Sequence, residues 1–285
     1  MLYYGTHLSI KTNLLSLIDY IKKIDGNMIQ IFISNPISTK SKPNQKIIED
    51  AELIKQKSID MDVKIVIHLP YTLNIGKQYN KNTWWIKTII DHLNISEKIG
   101  SIGCVIHVGK HLNLSKYDGT NNMYKSLKYI IYYLKKNNMK THIILETAAG
   151  QGTELLSEIK KFIEFYKLFT DEDKEYLRLC IDTCHIFAAG EDISTKKNVK
   201  NFFKYLHNSI GMKYIDLIHL NDSKKECGSC VDRHENIGEG CIGKEGLTEF
   251  IRCAFLYRIP IILETPDNFI NEIKIFNSIK QKFIF

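Results

Sequence analysis

The sequence predicts an α/β protein built as a (β/α)8 TIM barrel, on three observations. Short β-branched runs alternate with longer amphipathic segments, eight times over. The runs are nearly continuous in apolar residues, as parallel strands are when both faces are covered. The chain is 285 residues long, close to the roughly 250 residues that such a barrel takes. No Pro- or Gly/Ser-rich linker divides it, so residues 1–285 read as a single domain. A doubly wound open sheet is the alternative, and no G-x-G-x-x-G follows the first strand to support it.

In order, the first strand is expected over Leu2 to His7, followed by a helix over Leu14 to Ile24. Met28 to Ser34 reads as a strand and Gln45 to Ile59 as a helix. Then come Val63 to His68 with a helix from Thr83 to Ile99, and Gly103 to His107 with a helix from Met123 to Lys135. His142 to Glu146 precedes a helix over Leu155 to Phe169. Leu177 to Asp182 precedes Val199 to Ile210, and Tyr214 to His219 precedes Leu247 to Leu256. Ile259 to Glu264 is the last strand, closed by a helix from Ile270 to Lys282.

The bulk numbers bound the class. Apolar residues make up 44% and charged residues 25% of the chain, the balance of a soluble globular protein. Its start lacks the basic and apolar regions of a signal peptide, and no apolar run is long enough to span a bilayer. Seven cysteines, an odd number without a secretory signal, predict a reduced, intracellular protein. Cys227 and Cys230 form a C-x2-C with no second pair to complete a zinc ribbon. The net charge of +7 permits a nucleic-acid partner without requiring one, because abundant Lys, Ile and Asn also follow from an A/T-rich genome.

The informative pattern is how the strands end. His68 and His107 close the third and fourth, Glu146 the fifth, and Asp182 the sixth, with His185 one turn later. His219 closes the seventh, whose loop carries Asp232 and His234, and Glu264 closes the eighth. Any one of these reads as a polar strand end. Nine at six consecutive ends converge on the C-terminal mouth, where barrel enzymes place their active sites. Five histidines and four carboxylates suit zinc, or zinc with manganese. Without cations the four carboxylates would repel a phosphate. Three divalent ions would leave the mouth positive and suited to a phosphate; one or two would suit an uncharged sugar. In extended chain, Asp232 and His234 point one way and Arg233 the other.

At these residues the chain resembles the endonuclease IV family of apurinic/apyrimidinic (AP) endonucleases over its whole length. Arg178 to Gly190 matches that family's Asp-Thr-x-His signature, and His219 to His234 its His-x-Asn-Asp…Asp-Arg-His signature. Gly5 to Ser9, Ile237 to Gly240 and Leu263 to Pro266 match more weakly. The resemblance implies three zinc ions per chain. His68, His107 and Glu146 would bind one; Glu146, Asp182, His219 and Glu264 a second; His185, Asp232 and His234 the third. It implies a DNA-repair enzyme that cleaves the backbone 5′ to abasic sites, leaves a 3′-hydroxyl and trims blocked 3′ ends. The nucleophile would be a hydroxide bridging two zincs, with Glu146 and Glu264 as the catalytic carboxylates, and the substrate double-stranded DNA. A monomer is expected.

Two positions and one loop depart from the family. Tyr71 resembles the residue that enters the abasic gap, but Thr72 stands where an aliphatic wedge is usual. Ile37, with Lys40 and Lys42 just beyond, stands where an arginine is often placed against DNA. The family's Gly-rich first loop is replaced by Ile10 to Asn13. Lys110, Lys224 and Arg233 lie in mouth loops within reach of phosphates. The competing expectation is a sugar isomerase or epimerase on a related barrel with one or two metals, which has no use for the Asp232-Arg233-His234 triplet. His7 also ends a strand at the mouth and is assigned a supporting role.

Overall fold

The computed structural model describes residues 2–11, 13–40, 42–266 and 269–281; Thr12 of the first loop and Lys282, expected to end the last helix, lie outside them. Eight parallel strands close a barrel. They are β1 (Tyr4–His7), β2 (Met28–Ile31), β3 (Lys64–His68), β4 (Gly103–His107), β5 (His142–Glu146), β6 (Leu177–Asp182), β7 (Ile215–Leu220) and β10 (Ile261–Leu263). Their order around the barrel is β1-β10-β7-β6-β5-β4-β3-β2. The TIM barrel expected from the sequence is therefore present. The remaining two strands, β8 (Asp222–Ser223) and β9 (His234–Glu235), pair antiparallel above β7.

Register places the site. Met28, Val66, Val105, Ile144, Cys180, Leu217 and Ile262 form an apolar cluster inside the barrel, distinct from the larger core beneath the helices. Side chains in a strand alternate. Two residues further along the chain, on the same face, stand Gln30, His68, His107, Glu146, Asp182, His219 and Glu264. The polar layer at the mouth thus rests on an apolar plug, and one parity error would turn each group into the helix layer. At β1 the approach is so close that a Cβ on Gly5 would fall 1.6 Å from the Met28 carbonyl oxygen.

The outer helices follow the expected order with shifted ends. The first is α1 (Leu14–Lys23). The second splits at Asp50 into α2 (Gln45–Glu49) and α3 (Ala51–Asp60), and the third is α4 (Trp84–Ile99). The next, α5 (Lys116–Lys136), begins well before Met123. Its opening is too polar to show a helical period, but Ser115 caps it by accepting from the Asp118 N–H at 3.0 Å. The helix expected from Leu155 is α6 (Ile159–Lys167). A short α7 (Asp171–Lys174) follows, opened by a capping box between Thr170 and Asp173. Directly after β6 comes α8 (Thr183–Ala188), whose N-cap is Asp182.

Candidate metal centre

Among the described residues five overlapping groups have potential ligand atoms within 4.8 Å of one another; Cys180 (with Glu146 and His219) and Cys184 (with Asp182 and His234) enter two of them, and the nine residues from the strand ends and their loops make up the other three. In the first, His68 Nε2 and His107 Nε2 lie 3.4 and 3.2 Å from Glu146 Oε2. In the second, His219 Nδ1 lies 2.9 Å from Glu146 Oε1, 3.3 Å from Glu264 Oε2 and 4.0 Å from Asp182 Oδ2. In the third, His185 Nε2 and His234 Nε2 lie 3.3 and 3.1 Å from the two oxygens of Asp232. Glu146, at the centre, belongs to the first two groups. His234 approaches Asp182 Oδ2 at 3.7 Å, which joins the second and third.

Local chemistry fixes these side chains. Asp182 caps α8 with one oxygen, which accepts from the His185 N–H at 2.8 Å, and turns the other toward the cluster. That second oxygen also accepts from Asn221 Nδ2 at 2.7 Å. The second imidazole nitrogens are engaged by backbone carbonyls: His68 Nδ1 by Leu69, His185 Nδ1 by Thr147 (with Glu146 Oε1 3.5 Å off), His234 Nδ1 by Glu264. Metal-binding histidines are held in this way, with the outer nitrogen donating and the inner one left as a lone pair. The β8–β9 pairing sets Ser223 opposite His234 and so folds the Asp232–His234 segment back over the mouth.

Charge is concentrated here and short of counter-charge. Burial opposes ionisation of His68, Glu146, His185, His219, Asp232, His234 and Glu264. Around His234 it is outweighed by the Asp182 and Asp232 carboxylates, and its pKa is pushed up to about 9. His185 is raised well above the ordinary value for the same reason, burial losing to Asp182 and Asp232. At His219, burial is overcome by the Cys180 sulfur, Glu264 and Glu146. His68 goes the other way, because burial dominates. The carboxyls of Glu146, Asp232 and Glu264 are held below their usual range despite burial, by His107 and His219, by His185 and His234, and chiefly by His219 respectively. In the isolated chain, protons on His185, His219 and His234 supply positive charge that the carboxylates demand.

The residues fit a metal. Glu146 Oε2 and His234 Nε2 are buried and make no hydrogen bond, although partner atoms stand 3.1–3.4 Å away. Atoms so close that do not bond one another converge on points between them, as a nitrogen-and-oxygen ligand set does.

The rim is less uniform. A cavity of about 480 Å3 opens over the cluster, lined by Tyr71, Asn74, Lys110, Gln151 and Arg233 among others. Arg233, assigned to the reverse face by strict alternation, lines this same cavity: Cys230 has a φ of 54°, so the loop entering the triplet is not regular extended chain. Tyr71 is 54% exposed and packs edge-on against His68 and His107. Its N–H donates to the Pro36 carbonyl at 3.0 Å, which ties it to the loop bearing Ile37, itself 77% exposed. Thr72 points inward, its Oγ1 buried without a partner. Lys110 and Lys224 are paired with Glu154 and Glu235 at 3.3 and 3.6 Å. Sequence reasoning missed Gln30, which shares the inward parity of the ligand candidates, and gave Asn221 no role of its own.

Fold and site together define a xylose isomerase-like TIM barrel with a mouth of histidines and carboxylates, and the family model of that description matches residues 18–278. Within that class the chain belongs to the endonuclease IV family. It is 36% identical over 276 residues to a putative endonuclease 4 of Acanthamoeba polyphaga mimivirus, covering 94% of this chain and 86% of the relative. It is 34% identical to a probable endonuclease 4 of Thermosipho melanesiensis, over 99% and 98% of the two chains. Among solved structures, endonuclease IV of Thermus thermophilus superposes with a TM-score of 0.78 at 23% identity, over 98% and 99% of the chains. A D-tagatose 3-epimerase-like protein superposes at 0.69 with 19% identity, over 99% of each chain; at these identities the two structures speak to the fold alone. No described helix is long and apolar enough to cross a membrane.

Proposed function

We propose that this protein is a DNA-repair endonuclease. It cleaves the phosphodiester on the 5′ side of an abasic site in duplex DNA to leave a 3′-hydroxyl, trims blocked 3′ ends, and uses three zinc ions. The observation that carries the reading is the division of nine side chains into three ligand groups, two of them sharing Glu146.

His68, His107 and Glu146 would hold one ion, Glu146, Asp182, His219 and Glu264 the second, and His185, Asp232 and His234 the third. Bound zinc supplies Lewis acidity, neutralising phosphate charge and lowering the pKa of water. The chain's own groups do the rest. Glu146, Asp182, Asp232 and Glu264 set a fourfold negative charge that three divalent ions convert to a net positive one, which selects a phosphate over a sugar. Glu264, held ionised, accepts a hydrogen bond and orients the attacking water rather than storing its proton. Tyr71 stands on the ligand rim as the side chain to fill an abasic gap, with Ile37 and Thr72 beside it. Lys110, Lys224 and Arg233 meet backbone phosphates.

A labelled abasic duplex incubated with zinc-loaded protein tests this. Incision 5′ to the lesion with a 3′-hydroxyl end is expected, abolished by chelation and restored by zinc. Cutting by metal-free protein would overturn the mechanism. An epimerase needs no third group, so about one or two zincs per chain, without incision, would favour that rival.

A further inference from the structure

At the end of β2 the barrel turns a neutral amide toward the cluster. Gln30 is fully buried. Its Nε2 lies 2.5 Å from Glu264 Oε1 and 3.0 Å from His7 Nδ1, and its Oε1 lies 2.7 Å from His219 Nε2.

The hydrogen-bond inventory leaves one consistent assignment. An ionised carboxylate only accepts, so the amide nitrogen faces Glu264. The amide oxygen, which only accepts, therefore faces His219, and His219 Nε2 carries a hydrogen. Nδ1, whose hydrogen goes to Glu146 Oε1 at 2.9 Å and which lies 3.3 Å from Glu264 Oε2, is then the nitrogen whose proton an ion would replace. The second amide hydrogen goes to His7 Nδ1. His68, His185 and His234 have their outer nitrogens held by backbone carbonyls, which cannot turn over. His219 relies on a side chain that can, and Glu264 is what stops it turning.

We propose that Gln30 is a positioning residue for one ion site: it holds His219 in the tautomer that presents Nδ1 to the ion, and by binding Glu264 Oε1 it leaves Oε2 facing the same point. The inference rests on the zinc reading above and assigns to β2, which contributes no ligand, control over ligands from β7 and β10.

Long-range 1H–15N spectra of histidine-labelled, zinc-loaded protein test it. His219 is expected to be bound through Nδ1 with its proton on Nε2. Gln30→Met keeps the length of the side chain and removes all three bonds, to Glu264, His7 and His219. It is expected to weaken one of the three ions by about 10–100-fold and to leave the other two and the circular dichroism unchanged. Gln30→Glu keeps an acceptor for His219 but repels Glu264. It is expected to retain the Nε2–H resonance while losing affinity at the same ion. A wild-type spectrum with His219 bound through Nε2, or full stepwise affinity in Gln30→Met, overturns the proposal. Should Gln30→Met not fold, the wild-type and Gln30→Glu spectra decide. A wild-type protein that takes up no zinc overturns the metal reading instead.

Discussion

Asp222 and Glu146 are both fully buried carboxylates at the barrel mouth, yet their surroundings are opposite. Asp222 accepts from backbone N–H groups on every side. Ser223 and Ile242 donate to Oδ1 at 2.8 and 2.9 Å, Gly238 and Gly240 to Oδ2 at 2.9 and 3.1 Å, and Gly243 N–H lies 3.3 and 3.2 Å from the two oxygens. Fixed peptide dipoles surround it and no room is left: a Cβ on Gly240 would sit 2.4 Å from the Ser223 carbonyl oxygen and 2.6 Å from Asp222 Oδ1. Glu146 has imidazoles for neighbours and one oxygen with no hydrogen bond at all. A buried anion can be stabilised by backbone donors or by mobile cations. The first solution closes a loop; the second leaves a place for ions and for substrate.

The largest effect should follow from breaking the second solution. Glu146→Gln removes the carboxylate shared by two groups, so zinc content should fall from about three per chain to about one. Incision should fall by more than the roughly 100-fold typical of an outer partner. Elemental analysis and turnover on an abasic duplex measure both. Zinc retention at the wild-type level would show that Glu146 is satisfied from within, like Asp222. Asp222→Asn should act on stability instead. One amide face would turn N–H toward N–H, and the cost should be about 3 kcal/mol in denaturant unfolding, with zinc content unchanged in the folded protein.

The two solutions also differ in how they titrate. Backbone donors do not ionise, whereas His234 does. Its pKa in the metal-free chain is raised from 6.5 to about 9, so below about pH 9 an incoming ion must displace its proton. Apparent zinc affinity at the third group should rise with pH toward about 9 and then level. Calorimetry in buffers of different ionisation enthalpy should show proton release at pH 7. The same raised pKa predicts that this histidine's contribution to the stability of the metal-free protein is complete below about 6.5 and is lost as pH rises through about 9. Affinity independent of pH between 6 and 9 would contradict both.

Much of this was legible in the sequence, for a reason of register. Ligand candidates at strand ends sit two residues after an inward apolar residue, so period-two alternation finds them without coordinates. Gln30 obeys the same parity but escapes that search, because an amide is not a ligand type and its role exists only through Glu264 and His219, far away in the chain. Asp222 lies inside the His219-to-His234 signature, and nothing local tells a carboxylate satisfied by glycine N–H groups from one awaiting a cation. The start of α5 was hidden by polar residues, and the β8–β9 pairing was too short to show a pattern. The barrel and its floor come from periodicity, while the rim comes from irregular loops that have none.

Thr72 is the rim's own unsatisfied group, and it gives the smallest effect. Its Oγ1 is buried with no partner, but unlike Glu146 Oε2 it is uncharged. Leaving a hydroxyl dry costs the free protein about 1–3 kcal/mol. Thr72→Val keeps the shape and removes the cost, so unfolding should become harder by about 1 kcal/mol, with zinc content untouched. Binding to an abasic duplex separates two causes. If the hydroxyl is held in reserve for DNA, the valine variant should bind more weakly by several-fold, about 1 kcal/mol, while its stability rises. If affinity is unchanged or improves, the hydroxyl serves no contact, and the position is a poorer version of an apolar wedge. In that case the apolar wedge is expected to be exposed Ile37, whose loop is tied to Tyr71 through Pro36, and Ile37→Ala should lower affinity for the abasic duplex where Thr72→Val does not.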